Sequence, residues 1–335
     1  MTNDILELKN FLSIPKDIAI IAHRNPDGDA LGSALGLQRF LEKKGHLVKV
    51  VMPSESPALF NYLPGFASIT VFDLKHDEAR DILRKAECIF CLDFNGLDRV
   101  DKLGPVIDES RATKVLIDHH LDPEPFVDYM FSDTEASSTC ELVYQFIEDL
   151  GYELDIDTQI GNCLFTGLIT DTGSFKYNTR PQTYNVAAKL KMVGVDDYSL
   201  QDQINNCLKP KHLELLGHCL ANRMEIFEDY GAGLIYLTRE DYAKFDIQRG
   251  DTEGIVNYML MIQNVKVAAF ITEQPSIIKV SLRSKGDISV QEIASKHFKG
   301  GGHKNASGGA LYASLEDVLN LYKRILPKYL PKVIH

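Results

Sequence analysis

Apolar runs that end directly on acids and histidines are the feature that most constrains how this chain can fold. The runs have the length of buried strands. Three of them lead at once into side chains that can bind metals: 17–22 before His23, 88–92 before Asp93, and 115–117 before Asp118, His119 and His120. In an open α/β sheet, ligands bind in the crevice at the carboxyl ends of the strands. The sequence therefore predicts that these side chains converge on one site.

The first half of the chain alternates strand-like and helix-like segments. Apolar positions recur at helical spacing across 29–44, with Gly32 and Gly36 available for close packing, between strand-like runs at 17–22 and 47–51. Further strands are predicted at 88–92 and 113–117, and helices at 97–103, 136–150, 157–170 and 182–193. This alternation predicts an α/β fold with a parallel sheet between flanking helices.

The second half of the chain has a different pattern. A charged, amphipathic stretch at 196–224 contains no strand signal; beyond it we predict strands at 233–238, 265–272 and 277–283, and helices at 289–297 and 315–326. A chain of 335 residues is also long for a single core. We expect three parts: a parallel-sheet domain at 1–195, a helical linker at 196–225, and a smaller α+β domain at 226–335.

Composition and the N-terminal sequence predict a cytoplasmic protein. No stretch approaches the ~18 uninterrupted apolar residues of a membrane helix, and the first residues lack the cationic region and small-residue cleavage site of a signal peptide. The six cysteines are scattered through apolar or amphipathic segments, which argues against a disulfide framework. Cys88 and Cys91 lie three apart on a predicted strand, so we expect them to pack in the core on opposite faces of the sheet.

Charge is distributed unevenly along the chain. Residues 276–335 hold 10 basic and 4 acidic residues, a net charge of +6, whereas the remainder holds 26 and 43, a net charge of −17. An acidic body repels long nucleic acid. A basic end suits a short polyanionic substrate, although a solvated lysine face explains part of the asymmetry.

The acids can balance a pair of divalent cations. His23, Asp27 and Asp29 follow the spacing H-x-x-x-D-x-D, and Asp171 ends a further apolar run that is more helix-like than strand-like. Carboxylates crowded into one cleft raise each other's pKa unless positive charge lies between them. With Asp93, the four aspartates carry a charge of −4, which two dications cancel.

The ligand types indicate which metal and which chemistry to expect. Oxygen and imidazole ligands without thiolates favour Mn²⁺, with Mg²⁺, Co²⁺ or Fe²⁺ as substitutes, over a structural zinc site. Two such cations about 3.5–4 Å apart polarise a phosphoryl group for attack, which predicts phosphoester hydrolysis. Each residue taken alone is equally a helix cap, a turn former or a core histidine, so the prediction depends on their joint occurrence.

Five features of the sequence resemble the DHH/DHHA1 phosphoesterases, and most of all their bacterial nanoRNase and 3′-phosphoadenosine 5′-phosphate (pAp) phosphatase branch. They span most of the chain in the family's order: HRNPDGDALGS at 23–33, Asp93 after an apolar strand, DHH at 118–120, TDTGSF at 170–175 and GGGHKNASGG at 300–309. The resemblance implies a metal-binding DHH domain, followed across a cleft by a substrate-binding DHHA1 domain.

The resemblance also implies roles for the acids and histidines. One Mn²⁺ is expected on His23, Asp27 and Asp93, and the other on Asp29, Asp93, His119 and Asp171, with Asp93 bridging. Asp118 is implied to orient a ligand imidazole from outside the ligand set. His120 is implied to contact the scissile phosphate or assist the leaving group. Asp93, Asp118 and His120 are therefore the expected catalytic residues.

The expected substrate end lies mainly in the basic segment. Gly300, Gly301 and Gly302 carry no side chains, which lets backbone amides form an anion-binding concavity, while His303 and Lys304 add donors. A flexible linker is the alternative reading of such a run.

Other candidate substrate residues lie outside the glycine run. Arg283 and Ser284 close a predicted strand, where an arginine can fork onto a phosphate or be merely exposed. Asn25 in the metal loop is a further candidate. Residues 178–180 either reach the cleft or form a turn before a helix near Pro181.

The leading functional hypothesis is an Mn²⁺-dependent enzyme that degrades short oligoribonucleotides to mononucleotides and dephosphorylates pAp. Long duplex nucleic acid and membranes are not expected partners, and a homodimer is the candidate assembly. The alternatives are a cyclic or linear dinucleotide phosphodiesterase, a pyrophosphatase or exopolyphosphatase, and a non-catalytic nucleotide-binding module.

Overall fold

A computed structural model of the chain describes residues 3–248 and 250–332. The chain divides into two compact units between Cys207 and Leu208. The stretch 196–225, predicted as a linker, contributes helix Asp197–Asn205 to the first unit and helix Pro210–Asn222 to the second. Within the described residues, no helix is both long enough and apolar enough to cross a membrane.

The first unit contains six strands and eight α-helices in its described residues. The strands are β1 (Asp17–Ala22), β2 (Leu47–Met52), β3 (Thr70–Val71), β4 (Cys88–Leu92), β5 (Thr113–Asp118) and β6 (Tyr129–Ser132). The helices are α1 (Asn3–Phe11), α2 (Gly28–Lys43), α3 (His76–Lys85), α4 (Gly104–Asp108), α5 (Thr139–Asp149), α6 (Thr158–Thr172), α7 (Pro181–Met192) and α8 (Asp197–Asn205). Short 3₁₀ turns occur at Ala58–Phe60, Phe66–Ser68, Leu97–Leu103 and Glu153–Asp155.

The six strands form one parallel sheet in the order β3-β2-β1-β4-β5-β6, which confirms the predicted fold class. The strand order reverses between β1 and β4, and the crevice at such a switch point is where open α/β sheets bind ligands. Ala22 pairs with Leu92, and Leu92 pairs with Ile117, so the three central strands end level with one another. The residues that follow these strands therefore leave the sheet side by side.

Both faces of this sheet are buried, as expected for a parallel sheet covered by helices. Cys88 packs in the core on one face and Cys91 in the core on the other, and both are free thiols, as the strand period predicts. Helix α2 packs closely on α6, because Gly32 has no side chain to hold them apart. A Cβ on Gly32 would lie only 2.4 Å from the carbonyl oxygen of Cys163.

Five helices and strands of the first unit were not predicted from the sequence: α1, α3, α4, β3 and β6. Helix α3 buries only Ala79 and Leu83 among many charged residues, so its apolar stripe is narrow. Strands β3 and β6 have only two and four residues, and β6 is mostly half-exposed, so neither shows a clear alternation. The predicted short helix at 97–103 is a 3₁₀ element with a break at Asp101, where φ is +52°.

The second unit contains a mixed six-stranded sheet and five α-helices in its described residues. The strands are β7 (Met224–Phe227), β8 (Ala232–Leu237), β9 (Val267–Glu273), β10 (Ile278–Ser284), β11 (Gly301–His303) and β12 (Ala306–Leu311), in the sheet order β11-β12-β10-β9-β8-β7. The helices are α9 (Pro210–Asn222), α10 (Arg239–Lys244), α11 (Ile255–Leu260), α12 (Val290–His297) and α13 (Leu315–Tyr329). Among the described strands of this sheet, only β8 and β9 pair in parallel, which makes this the predicted smaller α+β fold.

The glycine run at 300–302 is not the open loop expected from the sequence. Gly301–His303 forms the edge strand β11, which pairs with β12 through a tight turn at Lys304 and Asn305. Gly300 lies directly on the neighbouring backbone, since a Cβ there would be 1.8 Å from the carbonyl oxygen of Gly308. Glycine lets the two chain segments approach this closely, a role that glycine composition alone does not distinguish from a flexible loop.

Candidate metal centre

The expected metal ligands of the first unit lie at the ends of its three central strands and on two neighbouring helices. His23 follows β1, Asp93 follows β4, and His119 follows β5; Asp29 lies in the first turn of α2, and Asp171 in the last turn of α6. Asp93 has a φ of +61°, a left-handed conformation that is uncommon outside glycine, asparagine and aspartate. The chain thus turns sharply at the residue expected to bridge the metals.

His23, Asp27 and Asp93 form the first group of candidate ligands. The Nε2 atom of His23 lies 3.3 Å from Oδ2 of Asp93 and 3.9 Å from Oδ1 of Asp27. Asp27 caps the N-terminus of α2, where its Oδ1 accepts hydrogen bonds from the amides of Asp29 and Ala30. Only one of its two oxygens is used by this cap, so Asp27 can serve both the helix and a ligand.

Asp29, His119 and Asp171 form the second group. The Nε2 atom of His119 lies 3.3 Å from Oδ2 of Asp171 and 3.9 Å from Oδ2 of Asp29. It also lies 3.6 Å from Oδ1 of Asp93, whose other oxygen faces His23. In each group, one donor atom from every residue lies within 4.8 Å of those of the other two. Asp93 therefore presents one oxygen toward each group.

His120 and Asp118 form a hydrogen-bonded pair beside Asp93. The Nδ1–H group of the buried His120 donates to Oδ1 of Asp118 at 2.7 Å, and the His120 amide donates to Oδ2. Its Nδ1 also lies 3.7 Å from Oδ1 of Asp93. Asp118 thus orients His120, whereas the ring of His119 is held by a backbone carbonyl instead.

The orientation of the His23 and His119 imidazoles shows whether a cation fits between the candidate ligands. Nδ1 of His23 lies 2.9 Å from the carbonyl oxygen of Arg24, and Nδ1 of His119 lies 3.3 Å from that of Ala136. A carbonyl oxygen only accepts, so both Nδ1 atoms carry hydrogen, and the Nε2 atom of each ring faces carboxylates. Although burial lowers the pKa of His23, its hydrogen bonds to Asp27 and Asp93 raise it well above its usual value, so positive charge is favoured between these groups. Such an arrangement needs positive charge between nitrogen and oxygen, and it matches the usual support of metal-binding histidines. These residues therefore fit divalent cations.

The electrostatics of the cluster also favour added positive charge. Burial raises the pKa of Asp29, and the carboxylates of Asp93 and Asp27 raise it further. Burial and the neighbouring carboxylates likewise raise the pKa of Asp171. Burial raises the pKa of Asp93 too, but the hydrogen bond and charge of His23 outweigh this effect and hold it below its usual range. Positive charge is what keeps a carboxylate of this cluster ionised.

The sequence analysis predicted a helix at 136–150 but did not predict that the segment 136–140, just before and within the first turn of α5, contacts the site. The amide of Thr139 donates to Oδ2 of Asp29 at 2.6 Å, and the amide of Cys140 donates to Oδ1 at 2.9 Å. The Thr139 hydroxyl donates to Oδ1 of Asp93 at 3.0 Å. The available signal was Ser138 with Glu141 three residues on, which marks a helix start but does not reveal that the helix meets the site.

The expected substrate residues divide between the two units. Asn25 lies in the first unit on the His23–Asp27 loop and has a φ of +56°. Its backbone N–H donates a hydrogen bond to the Ser54 hydroxyl. Arg283 and the glycine run lie in the second unit, where Arg283 shares the half-exposed face of β10 with Ser281. Ser284 is on the opposite, buried face, and its hydroxyl donates to the carbonyl oxygen of Ile288 at 2.6 Å. Its hydroxyl thus serves the local fold.

Arg180 lies in the turn that one of the two sequence interpretations of residues 178–180 predicts. Residues 178–180 precede α7, which begins at Pro181, as the turn interpretation predicts. The Arg180 guanidinium is bound to Glu141 and Asp133, at 2.6 Å and 2.7 Å. These contacts fix it between α5 and α7 within the first unit.

The first unit is a parallel-sheet domain with carboxylates and imidazoles gathered at its switch point, an arrangement that can hold divalent cations. Two family models match the chain: the DHH family, N-terminal domain, over residues 17–168, and the DHHA1 domain over residues 232–328. The bifunctional oligoribonuclease and PAP phosphatase NrnA of Thermus thermophilus is 30% identical, over 92% of this chain and 88% of its own. The chain belongs to the DHH family and carries a DHHA1 domain.

Two further relatives show how widely this arrangement is shared. An exopolyphosphatase-related protein from Bacteroides fragilis has a crystal structure that is 38% identical, with a TM-score of 0.95 over 98% of both chains. A cyclic-di-AMP phosphodiesterase, GdpP of Geobacillus thermodenitrificans, is 26% identical over 88% of this chain but only 45% of its own length. The relatives share the fold and the family with this chain, but they are named for different substrates.

Proposed function

We propose that this protein is a two-metal, Mn²⁺-dependent phosphoesterase that hydrolyses short oligoribonucleotides to mononucleotides and dephosphorylates pAp. The observation that carries the proposal is the position of Asp93, whose two oxygens face two separate groups of candidate ligands. The similarity to NrnA along nearly the whole chain supports the choice of substrates.

In this proposal His23, Asp27 and Asp93 hold one cation, and Asp29, His119, Asp171 and Asp93 hold the other. A pair of divalent cations supplies Lewis-acid polarisation of a phosphoryl group and neutralises charge that develops on it. The protein's part is to hold the ligand oxygens and nitrogens in fixed positions. The backbone carbonyls that orient His23 and His119 support this role.

His120 is proposed to serve the leaving group. Asp118 accepts its Nδ1–H, which fixes the orientation of the ring, so that a proton carried on Nε2 can pass to the departing oxygen. Asp118 is then a positioning residue, because it acts through His120.

The second unit is proposed to bind the end of the substrate remote from the reacting phosphate. Arg283 on the half-exposed face of β10 supplies a guanidinium for a phosphate or a base. His303 and the outer edge of β11 supply further donors, and the net charge of +6 over 276–335 favours a polyanion. Because the similar NrnA is named an oligoribonuclease, long strands are expected to be poor substrates.

Two other substrates have specific support. The Geobacillus relative is named for cyclic-di-AMP, and the Bacteroides structure is described as exopolyphosphatase-related. Cleavage of dinucleotide signals and hydrolysis of pyrophosphate or polyphosphate are therefore the alternatives that a test must separate.

The decisive experiment compares initial rates on pAp, a diribonucleotide, cyclic-di-AMP, its linear product and pyrophosphate, with Mn²⁺ and after chelation. We expect Mn²⁺-dependent release of nucleotide from pAp and from the diribonucleotide, at higher kcat/KM than for the other substrates. A clear preference for pyrophosphate or for the cyclic-di-AMP substrates would replace the proposal with that activity. No turnover of any of them would indicate a nucleotide-binding module.

Asp93→Asn provides the site-specific control. Asparagine tolerates the left-handed backbone at this position, yet it removes the carboxylate shared by both groups. Changes outside a ligand set already cost about 10- to 100-fold in affinity or activity, so we expect a loss of more than about 100-fold. Asp108→Asn removes an equal charge from an exposed position on α4 and should leave the rate unchanged.

A further inference from the structure

The segment 136–140, here called the α5 cradle, contacts three of the candidate metal ligands. Two of its amides hold both oxygens of the fully buried Asp29, and the Thr139 hydroxyl holds Asp93. The carbonyl oxygen of Ala136 accepts from Nδ1 of His119 at 3.3 Å. The cradle therefore fixes two of the three members of the Asp29, His119 and Asp171 group.

The cradle is held in turn by Glu141, whose side chain is completely buried. Oε2 of Glu141 accepts from the Ser137 amide at 3.2 Å and from the Ser137 hydroxyl at 2.6 Å. It also accepts from the Thr183 hydroxyl at 2.7 Å, while Oε1 accepts from Nε of Arg180 at 2.6 Å. Glu141 thus joins the cradle to the first turn of α7.

We infer that Glu141, fixed by Arg180 and Thr183, is a positioning residue for the cation held by Asp29, His119 and Asp171. The inference rests on the proposed function, because it assigns a role toward one of the two proposed cations. Displacing Ser137 would move the amides that aim Asp29 and the carbonyl that aims His119. Within the described residues, no hydrogen bond or ion pair joins His23 or Asp27 to the cradle, so this end of the site should respond only through the shared Asp93.

A second tie between α5 and α7 separates this role from simple packing. Lys189 near the end of α7 forms ion pairs with Glu148 and Glu153, at the opposite end of α5 from the cradle. Breaking that tie removes a link between the same two helices without touching Ser137. Lys189→Met is therefore the matched control.

The test is Mn²⁺ titration of the full chain, followed by electron paramagnetic resonance of the free ion and by calorimetry, with no substrate present. Wild type should bind two ions in resolvable steps, and Asp171→Asn identifies the step that belongs to its own group. In Thr183→Val and Arg180→Lys, we expect that step to weaken by about 10- to 100-fold, the usual effect of altering a supporting contact. The other step should change by less than about threefold.

Further variants exclude a general loss of stability. Thr183→Ser retains the hydroxyl and should restore the wild-type dissociation constant. Lys189→Met should lower the melting temperature without changing either step. Equal weakening in Lys189→Met, or wild-type affinities in both Thr183→Val and Arg180→Lys, would overturn the inference while leaving the proposed function intact. A wild-type protein that binds no Mn²⁺ would overturn the proposed function, and the inference with it.

Discussion

The contact of Gly300 with the neighbouring strand gives a prediction that separates a structural from a substrate-binding role for the glycine run. In Gly300→Ala, the new Cβ would lie 1.8 Å from the carbonyl oxygen of Gly308 and 2.5 Å from the Cα of Gly309. Ordinary carbon–oxygen contacts lie about 1.5 Å further out, and both obstacles are backbone atoms. The β12 backbone would have to move away, so the variant should be destabilised by more than the ~1–3 kcal/mol of ordinary overpacking.

Gly301 supplies the matched substitution one residue along. A Cβ on Gly301 meets no atom within 4 Å, and its φ lies outside the left-handed region. Replacing glycine by alanine at a compatible position stabilises a protein by about 0.4–1 kcal/mol, because the unfolded chain loses freedom. Gly301→Ala should therefore fold at least as stably as wild type, and any rise in its KM for pAp would report a substrate contact at the edge of β11.

Thermal unfolding and urea denaturation, read by a probe in the second unit, measure the stability of both variants. Steady-state kinetics on pAp measures their KM. The reasoning predicts a large fall in stability for Gly300→Ala alone. If Gly300→Ala kept the stability of wild type and lost only substrate affinity, the close strand contact would be wrong. Gly300 would then belong to the substrate site, as the sequence first indicated.

Three further outcomes are expected. Asp241 is nearly fully buried and forms ion pairs with Arg223 at 2.7 Å and His218 at 2.8 Å. Although burial raises the pKa of Asp241, the hydrogen bond from Arg223 and its other partners lower it to about 2. This lowered pKa contributes ~2 kcal/mol of stability, which is present above the unfolded-state pKa near 4 and is lost as pH falls toward 2. Asp241→Asn should therefore lower the free energy of unfolding at pH 7 and make it depend less on pH between 4 and 2, as measured by urea denaturation at each pH. Gly32→Ala should lower the free energy of unfolding by ~1–3 kcal/mol, measured in urea, because the added methyl meets the Cys163 carbonyl. Asp93→Ala should be less stable than Asp93→Asn in thermal melts without metal, since alanine tolerates a φ of +61° less well.

The sequence predicted the strands and helices whose apolar residues follow the regular spacing of their buried faces. Strands β1, β4 and β5 read as unbroken apolar runs because both faces of a parallel sheet are covered. Their polar successors could be placed at one edge because parallel strands end on the same side. The ends of the runs therefore revealed the candidate ligands His23, Asp93 and His119 without knowledge of the fold.

Contacts between distant segments were beyond this reasoning. The sequence shows that Thr139 and Cys140 begin a helix, but only the packing of α5 against α2 brings their amides to Asp29. Likewise, Gly300 reads as a flexible residue until β12 is placed beside it. Local pattern reports on a residue's own element, whereas these roles depend on which element lies next to it.

The N-termini of α2 and α5 help to explain how one site can hold the four aspartates Asp27, Asp29, Asp93 and Asp171 before any cation binds. Asp27 and Asp29 lie at the N-terminus of α2, and the N-terminal amides of α5 point at Asp29. A helix N-terminus carries partial positive charge and unpaired amides, so it stabilises carboxylates that would otherwise repel one another. This support is partial, since the pKa of Asp29 remains raised by burial and by its acidic neighbours. The fold thus keeps the carboxylates in place while leaving a deficit of positive charge, which is the condition under which a site binds cations tightly.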